Sequence, residues 1–135
     1  MPDRPVRRLP GDPPSPWETE YRYSRIVIAG GLVMVGGMTA AGPFGGVVGE
    51  TPYEQTREIL RKILHELSRA GAMVEDVLAL RVYVTDISRG EEVGRAFAEV
   101  FAEVAPLMTM VEVAALIDPR MCVEIEATAL APGAG

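Results

Sequence analysis

The chain has 135 residues, one cysteine, 48% hydrophobic residues and a formal charge of −6. This length gives one domain whose core needs no disulfide or metal, and the acidic balance argues against a general nucleic-acid surface built on clustered lysine and arginine. No apolar run approaches the roughly 20 residues that span a bilayer. The opening Met1-Pro2-Asp3-Arg4-Pro5 lacks the apolar core of a secretory signal, so a cytoplasmic location without membrane contact is expected.

Residues 1–16 hold six prolines and few apolar side chains, which predicts no regular structure. Residues 1–20 read as a Pro-rich arm, with Arg4, Arg7 and Arg8 as a solvated basic cluster and Trp17 and Tyr21 as its anchors. Arg22–Ala29 reads as a strand, Gly30-Gly31 as a hairpin turn and Leu32–Gly37 as the return strand. A glycine ending that strand, Gly37, would let a ligand approach the backbone and take its N–H. Residues 39–46 form a loop by their Gly and Pro content.

Thr51-Pro52-Tyr53-Glu54 has a cap, a first-turn proline and a first-turn acid in helix-opening order. Ile59, Leu60, Ile63, Leu64, Leu67 and Ala70 continue it as an apolar stripe, which Gly71 ends. His65, the only histidine, falls off the stripe toward solvent. Val77–Ile87 alternates, with Leu78, Leu80, Val82 and Val84 on one side and Ala79, Arg81, Tyr83 and Thr85 on the other. A second helix over 90–104 carries Val93, Phe97, Val100, Phe101 and Val104. Residues 106–116 and 123–127 read as two strands joined by a tight connection.

Residues 21–132 thus form a single α+β domain, a mixed sheet with two helices on one face. By alternation, Val111, Val113, Val123, Ile125 and Ala127 face the helices. Met108, Met110, Glu112, Cys122, Glu124, Glu126, Arg81 and Tyr83 share the other face, a mixture suited to an oligomer interface with clefts. Three carboxylates on one face repel one another, so at least one should pair with a cation such as Arg81 or titrate high. Cys122 has no metal-ligand spacing around it and reads as a small packing residue, since reactivity would need a nearby positive group. No phosphate loop, zinc spacing or Ser/His/Asp arrangement occurs, and no cofactor or metal is expected.

Several landmarks stand in an order that resembles the Rid family (YjgF-type, also called L-PSP endoribonuclease-like). They are Tyr23 fourteen residues before Gly37, Gln55-Thr56-Arg57, Ala70-Gly71, Asp76-Val77, Val82-Tyr83-Val84-Thr85-Asp86, Phe101, Pro106 and Glu124-Ile125-Glu126-Ala127. The resemblance implies a chorismate-mutase-like fold, a homotrimer and three intersubunit clefts that take a small-molecule ligand. Its best-known members are hydrolases, deaminases of enamines and imines. In these an arginine holds the substrate carboxylate, a glycine amide matching Gly37 assists, a glutamate matching Glu124 directs water, and a tyrosine matching Tyr23 lines the pocket. Here the arginine position is Met108, and the position two further on, often cysteine, is Met110.

Loss of a charge-assisted carboxylate clamp weakens binding by roughly 2–5 kcal/mol, about 30- to several-thousand-fold. The expected function is therefore binding of a small metabolite in the intersubunit clefts and hydrolysis of an imine, enamine or related compound, with weak or absent activity on 2-imino acids. Glu124 would be catalytic, with Tyr23, Gly37, Met108, Met110 and Cys122 binding the ligand; Arg25 and Arg120 are candidates to replace the arginine. The alternatives are a non-catalytic ligand-sensing or protein-interaction trimer and, against the charge, an endoribonuclease.

Overall fold

A computed structural model describes residues 5–133, so Arg4 of the basic cluster lies outside the described residues. The strands are β1 (Arg7–Leu9), β2 (Ile26–Ala29), β3 (Leu32–Met38), β4 (Val77–Val84), β5 (Leu107–Glu112) and β6 (Val123–Leu130), and the helices are α1 (Pro16–Tyr21), α2 (Pro52–Arg69) and α3 (Gly90–Phe101). They build a mixed six-stranded sheet in the order β1-β2-β3-β6-β4-β5. All neighbours are antiparallel except β4 and β5, which run parallel across the α3 connection.

The expected caps form α2 as the sequence predicts. The Thr51 hydroxyl accepts from the Glu54 amide, Pro52 occupies the first turn, and Gly71 follows the helix at φ +82°. Gly30 and Gly31 turn β2 into β3 with both φ angles positive, as a tight hairpin requires. Ile59, Leu60, Ile63 and Leu67 of α2 and Val93, Phe97 and Phe101 of α3 are buried against Val33, Val35, Leu80, Val82, Val123 and Ile125 of the sheet. The other sheet face has no helix over it among the described residues.

Four expectations are corrected. The Pro-rich segment is not without regular structure: Arg7–Leu9 pair with Ile26–Ile28 as an edge strand, and α1 follows. An edge strand tolerates nearby prolines because one side of its backbone is unpaired. Residues 22–25 are not strand, since Arg22 ends α1 in the left-handed region at φ 59°. In β4 it is Val77, not Leu78, that enters the core; an irregularity between Val77 and Ala79 flips the alternation and leaves Leu78 43% exposed.

The fourth correction reaches the site. β5 and β6 do not form a hairpin, because β4 lies between them and residues 113–122 make the crossing. The parallel register sets Leu80 beside Met108, Val82 beside Met110 and Val84 beside Glu112. Neighbours in register share a face, so Met108, Met110 and Glu112 point to the helix side, and Leu107, Thr109 and Val111 to the open side. Alternation alone could not decide this, since both parities of the strand are apolar enough to be core.

Candidate active site

β6 alternates strictly, with Val123, Ile125 and Ala127 buried and Glu124 and Glu126 on the open face. Tyr83 lies directly across from Glu124, and Arg81 across from Glu126. The Arg81 Nε and the Tyr83 hydroxyl both donate to Glu126 Oε1 at 2.7 Å. That pairing holds the Glu126 carboxyl below its ordinary range, the Tyr83 hydrogen bond first and Arg81 after it, and pushes the Tyr83 phenol up. The expected pairing of one carboxylate with Arg81 is thus formed within the chain.

Glu124 is different. Partial burial pushes its carboxyl above the ordinary value; Arg25 opposes this and Glu126 adds to it. No hydrogen bond from the described residues engages it. Its carboxylate lies over Gly37 so closely that a Cβ there would overlap Glu124 Oε2. Gly37 is needed for close approach, as expected, but what approaches is Glu124 itself.

These groups line a shallow pocket of roughly 380 Å³ with Gly37, Tyr83, Glu124 and Glu126 on the sheet and Val113, Ala115 and Leu116 on the 113–122 connection. None of these lining residues is basic. Two loops, the 113–122 connection at the pocket and the segment after β3, are tied by polar side chains of α2, Gln55 buried and Lys62 half-buried. Gln55 Nε2 donates to the carbonyls of Gly49 and Arg120 at 3.1 and 2.8 Å, while its Oε1 accepts from the Cys122 amide at 2.9 Å. Lys62 Nζ donates to the Thr39 and Ala41 carbonyls at 2.7 and 3.0 Å.

The structure joins Gly37 and Glu124 but does not bring the other expected residues to them within one chain. Met108 is 41% exposed on the helix side of the edge strand. Met110 packs against the core and reaches the start of α3, where a Cβ on Gly90 would meet its sulfur at 3.1 Å. Glu112 accepts from the Ile87 amide at 2.9 Å, so it does not join the other two carboxylates. Cys122 also packs against the core, and burial pushes its thiol up, which disfavours the reactive thiolate.

Tyr23 does not line the pocket; its ring lies 5.7 Å from the Arg25 guanidinium. Neither candidate replacement arginine faces the pocket. Arg120 is held by Asp118 at 2.7 Å and by the Gly45 carbonyl at 3.0 Å. Arg25 is buried and donates to the Gly36 and Gly37 carbonyls. Sequence reasoning missed Val113, Ala115 and Leu116 as pocket wall, since a connection mistaken for strand and turn gives no sign of crossing a site.

The model of the family described as Endoribonuclease L-PSP matches residues 15–131. A solved YjgF-type family member from Mycobacterium tuberculosis is 42% identical with a TM-score of 0.82, covering 93% of this chain and 99% of its own. An uncharacterised protein of Streptomyces coelicolor is 36% identical over 127 residues, 92% of this chain and 91% of the relative. The 3-aminoacrylate deaminase RutC of Acinetobacter baylyi is 33% identical over 75 residues, 56% of this chain and 59% of that protein. The mixed sheet, the two helices on one face and these matches agree: the chain belongs to the Rid family of YjgF-type, L-PSP-like proteins.

Proposed function

We propose that the protein hydrolyses a small imine or enamine that carries no carboxylate, in the pocket beside Glu124, and that it does so as a homotrimer. One observation carries this reading: a half-buried carboxylate, free of hydrogen bonds from the described residues, sits over a backbone glycine in a pocket with no basic lining. A carboxylate so placed can orient a water and take its proton. The water oxygen adds to the imine carbon, the nitrogen is protonated, the C–N bond breaks, and a carbonyl compound and ammonia leave.

The partly identical RutC is named a deaminase, which is the same class of reaction. A carboxylate-bearing substrate would meet Glu124 and Glu126 with no basic side chain lining the pocket to hold it, so a neutral or protonated imine fits better. The same two carboxylates would repel RNA phosphates, which speaks against the nuclease activity in the family model's description. In the trimer, Met108 on the edge strand would be available to the cleft of a neighbouring copy, since it does not reach the Glu124 pocket within its own chain.

The test follows 2-imino acids generated by an amino-acid oxidase, with semicarbazide trapping reporting their lifetime, for wild type and Met108→Arg. Slow wild-type hydrolysis that Met108→Arg accelerates supports the reading. Rapid wild-type hydrolysis of imino acids contradicts the exclusion of carboxylates.

A further inference from the structure

The polar group that grips the Gly36–Gly37 backbone belongs to the chain's first 25 residues. Arg25 is only 7% exposed. Its Nη1 donates to the Gly36 carbonyl at 3.2 Å and also to the Gly37 carbonyl, while its Nη2 stands 3.8 Å from Glu18 Oε2. The backbone repeats the link: the Arg25 amide donates to Leu9, and the Gly36 amide donates to the Arg25 carbonyl at 2.9 Å.

Glu18 is itself 6% exposed and anchors the segment before it. Its carboxylate accepts from the Gly11 amide at 2.8 Å and the Ser15 amide at 2.7 Å. A Cβ on Gly11 would stand 3.0 Å from Glu18 Oε2, so the chain approaches this carboxylate as closely as it can. One buried ion pair therefore joins residues 9–18 to the peptide on which the Glu124 carboxylate rests.

We propose that Arg25 is a positioning residue for the Gly37–Glu124 site and that Glu18 tunes it, which makes the N-terminal segment a working part of the pocket. Arg25 fixes the Gly36–Gly37 carbonyls and supplies a positive charge that acts on Glu124; Glu18 neutralises part of that charge. The other groups facing Glu124 are Glu126 on its own strand and Tyr83 across from it on β4, both engaged with each other. The inference rests on Glu124 being the water-directing group of the proposed function.

The experiment is a carbon-detected NMR titration of the Glu124 carboxyl in the full chain, which needs no substrate and so can fail while turnover stands, or stand while turnover fails. Arg25→Gln removes the cation, and the Glu124 midpoint should rise by about half a unit or more, roughly a threefold change in ionisation ratio. Glu18→Gln leaves the cation less neutralised, and the midpoint should fall. Arg25→Lys keeps the charge and should restore the midpoint toward wild type.

A merely structural role for the pair would move both Gln variants in the same direction or in neither, and either result overturns the proposal. If Arg25→Gln does not fold, Glu18→Gln decides alone: a fall supports the proposal, and no change or a rise overturns it.

Discussion

Gly37 and Glu124 constrain each other more tightly than any other pair in the site. An added methyl at Gly37 would overlap the end of the Glu124 side chain, a flexible group, so the carboxylate must swing away. Gly37→Ala is therefore expected to lower stability by about 1 kcal/mol, at the lower end of overpacking. Turnover should fall on the order of 100-fold from the misplaced group. Gly36→Ala, whose nearest neighbour would be an ordinary 3.7 Å away, should leave both nearly unchanged. Thermal melts and imine turnover on the two variants check this.

Titration of Glu124 couples stability to activity. Burial raises its folded value above the unfolded carboxylate value of about 4.3. Protonated Glu124 is thus favoured by folding: its stabilising contribution is present below about pH 4.3 and is lost as pH rises through the raised folded value. General-base activity needs the ionised form, so the rate should rise across that same window, with an acidic limb above pH 4.3 in kcat/KM. Glu124→Gln, which cannot ionise, should be at least as stable as wild type at neutral pH. Chemical denaturation at pH 7 and a pH–rate profile read the two halves.

Gly37 and Glu124 were legible because the glycine closes an alternating strand and the glutamate lies in a strongly patterned β6 that matches family landmarks. Glu18 was not, and Arg25 was named only as a candidate carboxylate clamp. Only the fold shows that each is the other's partner.

The helices α2 and α3 were the most readable elements, because first-turn residues and a 3–4 residue stripe act locally. Gln55 shows what local pattern leaves out: on the sequence it is a landmark in α2, yet its amide ties together residues 49, 120 and 122. Gln55→Ala orphans those groups and should cost about 2–4 kcal/mol. Limited proteolysis should then cut the loops at 39–50 and 113–122 first, and a melt gives the magnitude. β5 was misread for a related reason. Its parallel pairing with β4 is a long-range choice, and a strand that is apolar at both parities carries no local mark of which side is core.

At the scale of the whole molecule, two helices leave one sheet face open, and that face mixes exposed Met34, Leu107 and Val111 with the Arg81–Glu126–Tyr83 cluster. A monomer exposing such a surface is poorly protected, whereas the homotrimer we propose would bury it and turn the shallow pockets into clefts. Sedimentation velocity at micromolar concentration should give a trimer. A monomer would contradict the trimeric part of the account and leave the Glu124 pocket open to water on one side.

In the proposed function Glu124 directs water onto an imine lacking a carboxylate. The measurement that reads this generates such an imine with an amine oxidase and times its decay against semicarbazide trapping, with wild type and with Glu124→Gln. Wild type should shorten the imine lifetime, and Glu124→Gln should reduce this rate by about 100-fold or more. A wild type inert toward every such imine, or a Glu124→Gln protein as fast as wild type, would contradict it.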